Sequence, residues 1–97
     1  MGESMANLSI DEILNRVEKI CRGYQVEHLY LFGSYATGTA TETSDIDLII
    51  KGGRDNFLLK EEIDRIPTLK KIDIFEYDRC ENKHLKEDMD RYGRKIY

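Results

Sequence analysis

The run Ser44-Asp45-Ile46-Asp47-Leu48-Ile49-Ile50 sets two carboxylates inside a stretch with the composition of a buried strand. A strand turns successive side chains to opposite faces, so Asp45, Asp47 and Ile49 share one face and Ile46, Leu48 and Ile50 the other. The two aspartates then stand ~6.5 Å apart at Cα and point the same way. Bare carboxylates at that spacing repel by ~2–3 kcal/mol at an effective dielectric of 20, and desolvation adds to the cost. A fold built on this strand needs one sealed apolar face and one face where something offsets negative charge. Divalent metal ions do so: Mg²⁺ prefers hard oxygen ligands and takes a few carboxylates together with substrate phosphates.

The surrounding elements are consistent with a small α/β (α+β) domain, a short mixed sheet packed with helices mainly on one face. Ser9-Ile10-Asp11-Glu12 matches a capping box. Ile10, Ile13, Leu14, Val17, Ile20 and Cys21 then recur at helical spacing, predicting a helix over 9–22 stopped by Gly23. His28 to Phe32 reads as a buried strand, Ser34 to Gly38 as a short helical turn, and Thr39 to Ser44 as a polar loop. The second strand spans 45–51 and ends at Gly52-Gly53. A less regular helix follows over 55–66, with Phe57, Leu58, Ile63 and Ile66 as inward candidates, and Pro67 ends it. The third strand, 71–77, alternates so that Asp73, Phe75 and Tyr77 oppose Ile72 and Ile74. A last helix over 81–92 carries Leu85, Met89 and Tyr92 along one stripe, and Lys95-Ile96-Tyr97 adds a short final strand.

The chain of 97 residues is read as one domain over 1–97, with 1–8 as a flexible leader. A net charge of −4 argues against direct nucleic-acid binding, which calls for a basic face. No apolar run approaches the ~20 residues of a membrane span, and the N-terminus lacks a signal-peptide layout, so a cytoplasmic location is expected. Cys21 and Cys80 are read as reduced thiols, Cys21 in the core, and neither has zinc-site spacing.

Asp73 is the third carboxylate of interest. If the second and third strands are neighbours, it faces Asp45 and Asp47 across the sheet. Three carboxylates on one face are a ligand set for in-line phosphoryl or nucleotidyl transfer with two metal ions, in which Asp73 serves as general base or as ligand of the activating metal. Gly33 allows close backbone approach to a ligand. Ser34 can offer its N–H and hydroxyl to a phosphate at the start of a short helix. Taken singly, Ser34 also reads as a helix cap, a role compatible with phosphate binding, and the alternative for Asp73, a strand residue facing water, is the less favoured one.

Gly33-Ser34 followed by Ser44-Asp45-Ile46-Asp47-Leu48 resembles the GS…DxD signature of the DNA polymerase β-like nucleotidyltransferase superfamily. The short length, the Lys71-Ile72-Asp73-Ile74-Phe75 strand and the Arg91-Tyr92-Gly93-Arg94-Lys95-Ile96-Tyr97 ending are similar to the minimal nucleotidyltransferase (MNT) family, the antitoxins of MNT/HEPN toxin–antitoxin pairs. The resemblance implies the polymerase β-like fold, ATP as donor, two Mg²⁺ ions and a hetero-oligomer with a HEPN-domain ribonuclease toxin. It implies transfer of AMP to a toxin tyrosine, or, in other members, neutralisation by binding alone. By motif position Gly33 and Ser34 would hold the nucleotide phosphates, and Asp45, Asp47 and Asp73 would be the metal-binding and catalytic carboxylates. One position departs: where many relatives carry Arg in GS-x-A-R-G, this chain has Thr37, which lacks the cation that meets triphosphate charge.

Overall fold

The structure, a computed structural model, describes residues 8–97. The leader expected over 1–8 lies outside the described residues except for Leu8, which packs partly buried against the core. In chain order the elements are α1 (Ile10–Gly23), β1 (Val26–Phe32), α2 (Ser34–Thr37), β2 (Ile46–Gly52), α3 (Asn56–Asp64), β3 (Ile72–Glu76), a 3₁₀ turn (Tyr77–Arg79), α4 (Lys83–Tyr92) and β4 (Arg94–Lys95). The sheet order is β3-β2-β1-β4. β1 runs antiparallel to β2 and to β4, while β2 and β3 are parallel. A four-stranded mixed sheet with helices against it is the fold expected from the sequence.

Helix boundaries follow side-chain caps. Ser9 Oγ accepts from the Glu12 amide at 3.1 Å, Asp55 caps α3 through the Leu58 amide at 3.1 Å, and Asn82 caps α4 through the Leu85 amide at 3.1 Å. Each cap satisfies an orphan donor of the first helical turn. Gly23 does not stop α1 by turning left-handed. It remains helical, and the left-handed residue is Gln25, with φ 62°.

The face of β2 that carries Ile46, Leu48 and Ile50 is sealed by Ile13, Val17 and Cys21 of α1 and by Leu59 and Ile63 of α3. Among the described residues, no polar or charged residue is fully buried. Ile63 and Ile66 are buried as expected, but the first turn of α3 turns a different residue inward. Phe57 and Leu58 are 72% and 45% exposed, whereas Leu59 is fully buried. Capping by Asp55 fixes the rotation of the helix, and Leu59 with Ile63 four residues on then faces the sheet. Asn56 and Lys60 also donate to Glu76 of β3 at 2.7 and 3.0 Å, docking the helix on that strand.

The opposite face carries the aspartates. Only its far end is covered, where Met89 of α4 and Gly93 close over Ile49, which is 1% exposed. Tyr92, expected on the inward stripe of α4, is 50% exposed, because the packed stripe ends at Met89. Tyr77 leaves the strand for the 3₁₀ turn, and its hydroxyl donates to Asp90 of α4 at 2.9 Å. The chain end is stitched to β1: the Leu29 amide donates to the Tyr97 carbonyl at 3.0 Å, and the Tyr97 hydroxyl donates to the Val26 carbonyl at 3.0 Å. No helix among the described residues is long and apolar enough to cross a membrane.

Because α3 docks through Leu59, Leu59→Ala is expected to cost ~2–5 kcal/mol. Phe57→Ala should stay within ~0.5 kcal/mol of the parent. Urea unfolding of both variants checks the ranking.

Candidate active site

β2 and β3 are neighbours, and their register sets Asp47 directly against Asp73. On its other side Asp47 pairs with Phe32, the last residue of β1. Adjacent strands lie ~4.8 Å apart, so two carboxylates on one face at that spacing are in hydrogen-bond reach of each other. The Asp47 carboxyl is pushed above its ordinary value of 3.8 first by burial, then by the negative charges of Asp73 and Asp45 and by a hydrogen bond with Asp73, while Lys71 pulls the other way. Phe32 and Phe75 meet edge to face at 6.3 Å between centroids on the same sheet face. They give the carboxylate pair an apolar border, which strengthens the electrostatics beside it.

Gly33 follows β1 and holds φ 68° and ψ −149°, a conformation open to glycine alone. Its α-carbon is pressed onto Asp47: a Cβ at this position would collide with Asp47 Oδ2. The backbone then turns into α2, with Ala36 and Thr37 amides donating to the Gly33 carbonyl at 3.0 and 3.1 Å. Ser34 and Tyr35 occupy the first helical positions, whose amides have no intrahelical acceptor. The Thr37 hydroxyl folds back onto its own turn, reaching the Gly33 and Ser34 carbonyls at 3.3 and 3.4 Å and the Thr39 hydroxyl at 3.0 Å.

Asp45 lies one residue before β2 and is exposed. It leaves a closed loop in which Ser44 Oγ accepts from the Thr41 amide at 2.8 Å, so Ser44 is a turn residue. Asp45 thus stands at the rim, while Asp47 and Asp73 form a pair. Among the described residues, no three acidic, His or Cys side chains converge as a ready metal cage. A closed cage is not what Mg²⁺ requires, since it is commonly held by one or two carboxylates plus water and substrate phosphates. The donor set here, two opposed carboxylates with a third at the rim and all-oxygen chemistry, fits such an ion. The charge conflict at Asp47 is what a cation would relieve.

Lys71, to which the sequence motifs assign no role, also borders the pair. The Ile46 amide donates to the Lys71 carbonyl at 2.8 Å, placing this residue opposite Asp45. Its ammonium lies 3.8 Å from Asp73 Oδ1. The signal was present in the alternation, since position 71 shares a strand face with position 73. A cleft of about 570 Å³ beside Asp45 is bounded by Leu8, Glu42, Ser44, Leu69 and the two lysines Lys70 and Lys71.

The sequence profile of the family described as "Polymerase beta, Nucleotidyltransferase" matches residues 15–97. A Methanocaldococcus jannaschii protein named "Putative protein adenylyltransferase" is 34% identical over 88 residues, covering 84% of this chain and 88% of that one. A second protein of that name from the same organism is 40% identical over 72 residues, 74% of this chain and 46% of its own length. Among solved structures, the crystal structure of a toxin–antitoxin with AMP-PNP superposes with a TM-score of 0.68 at 22% identity, over 86% of this chain and 71% of that one. A mutant form of the toxin–antitoxin MntA-HpeT gives 0.66 at 22% identity, over 87% and 71%. At these identities the structural likeness speaks to the fold.

Asp47 titrates higher in the folded chain than in the unfolded one. Its contribution to stability is therefore present in full below the unfolded value and lost as pH rises through the folded value. Near neutrality the charged group is a net cost. Asp47→Asn is expected to raise the melting temperature at about pH 7 and to lose that advantage toward about pH 4. Thermal melts of both proteins across that range, without divalent ions, check the sign.

Proposed function

The chain belongs to the polymerase beta nucleotidyltransferase family, and on that premise we propose that it is an antitoxin that transfers AMP from ATP to a hydroxyl of its toxin. The observation that carries this reading is the in-register Asp47–Asp73 pair with Gly33 pressed against Asp47. That contact joins a phosphate-binding turn and a pair of cation-seeking carboxylates into one surface. The relatives named as adenylyltransferases support AMP as the transferred group. The fold shared with a toxin–antitoxin containing AMP-PNP supports ATP as donor and a toxin as partner.

In this reading Asp45, Asp47 and Asp73 would hold two Mg²⁺ ions, whose chemistry there would be to neutralise the triphosphate and acidify the attacking hydroxyl. The Gly33-Ser34 turn supplies backbone amides and the Ser34 hydroxyl to phosphate oxygens. Asp73 takes the proton of the acceptor hydroxyl. The acceptor oxygen bonds to the α-phosphorus, the bond from that phosphorus to the α–β bridging oxygen breaks, and pyrophosphate leaves. The acceptor is a tyrosine of a HEPN-type toxin. A second reading, neutralisation by binding without transfer, draws on Thr37, whose hydroxyl is engaged within its own turn.

Intact-mass spectrometry of the protein encoded beside this chain, after incubation with the chain, ATP and Mg²⁺, separates the two. AMP-sized additions that fall at least ~100-fold in rate with Asp47→Asn are expected. A stable, unmodified complex would favour the second reading.

A further inference from the structure

We propose that Lys71 is the cation that meets the β- and γ-phosphates of the nucleotide, from the third-carboxylate strand rather than from the phosphate turn. The inference rests on the nucleotidyltransferase reading above and names a residue which that reading does not use.

The phosphate turn cannot supply this charge. Residues 33–38 run Gly-Ser-Tyr-Ala-Thr-Gly, without a basic side chain. Thr37 spends its hydroxyl on the Gly33 and Ser34 carbonyls. Three carboxylates on or beside this face leave an electrostatic deficit for a polyanionic substrate, even with metal ions present.

Lys71 has the placement to correct it. It sits opposite Asp45 and on the strand face that carries Asp73. Its ammonium lies 3.8 Å from Asp73 Oδ1, a loose pairing outside hydrogen-bond range, and its side chain is 70% exposed. A lysine so exposed is not needed for the core and keeps the freedom to exchange one anionic partner for another. Lys70 and Lys71 both line the cleft beside Asp45 and a second of about 400 Å³ at the β3 edge, which holds Asp73 and runs under α3 along Ile63 and Ile66, so the clefts alone do not choose between them. Its neighbour Lys70 is committed elsewhere, donating to the Glu42 carbonyl at 2.9 Å and lying 5.7 Å from the Tyr35 ring. Lys71 is thus the lysine of the pair left to face the substrate.

Calorimetric titration of the full chain with AMP-PNP and with AMP, both with Mg²⁺, tests this. AMP lacks the β- and γ-phosphates, so a cation that contacts them discriminates between the two ligands. Lys71→Met is expected to weaken AMP-PNP about tenfold while AMP changes less than about twofold. Lys71→Arg should recover most of the loss, and Lys83→Met, an exposed lysine at the start of α4, should change neither. Equal weakening of both ligands would assign Lys71 to Asp73 alone and overturn the proposal, as would no weakening at all. Were the parent chain to bind neither ligand, the nucleotidyltransferase reading itself would fall. Melting temperatures of the variants, expected to match the parent, separate any ligand effect from loss of fold.

Discussion

Like charges opposed in register on neighbouring parallel strands are the constraint around which this domain is organised. Asp47 and Asp73 repel, and a sheet carrying that conflict on one face has to recover stability on the other. It does so with an uninterrupted apolar surface: Ile46, Leu48 and Ile50 of β2 are sealed by α1 and α3. The aspartate face receives no such cover near the pair. α4 closes only the far end, over Ile49, and leaves the carboxylates at an accessible edge. The asymmetry follows from chemistry, since burying an uncompensated carboxylate pair would cost more than a chain of this size can spare.

Much of this was legible in the sequence because strand alternation is a strict rule. The faces of β2 and β3 were assigned from periodicity, and β2–β3 adjacency then brought Asp73 to Asp47. The caps at Ser9 and the core position of Cys21 were equally readable. What escaped was decided by rotation and by long-range pairing. The apolar run Phe57-Leu58-Leu59 offers several helical stripes, and the Asp55 cap together with the docking of Asn56 and Lys60 on Glu76 selects the one through Leu59. Tyr77 obeys strand alternation on paper but is drawn into a 3₁₀ turn bonded to Asp90, a partner that no local pattern reveals. Asp45 was read as an equal of Asp47, yet it falls just outside the strand, because the ladder begins at Ile46 with the Lys71 carbonyl.

The aromatic residues on the aspartate face divide its labour. Phe32 and Phe75 border the carboxylate pair and lower its exposure to water. Further along, the Lys51 ammonium stands 4.2 Å from the Tyr77 ring centroid and Lys86 4.5 Å from it, with the Asp90 carboxylate accepting from the Tyr77 hydroxyl beside them. One sheet face therefore runs from a carboxylate pair at one end to mixed charge at the other. A phosphate-bearing ligand without metal ions would meet unfavourable potential at the first end. Recognition there consequently depends on cations, whether ions or side chains.

Gly33 has a consequence for how such a sequence can drift. Gly33 and Asp47 are separated by α2 and a polar loop, and by sequence alone the two motifs look free to vary apart. In three dimensions they are one object, because the missing side chain of Gly33 is the space that Asp47 Oδ2 occupies. Any larger residue at position 33 distorts the turn and displaces the carboxylate in a single step. The dependence runs one way: a side chain at position 33 costs the site its Asp47 carboxylate as well as the turn, whereas an isosteric change at Asp47 leaves the turn its space.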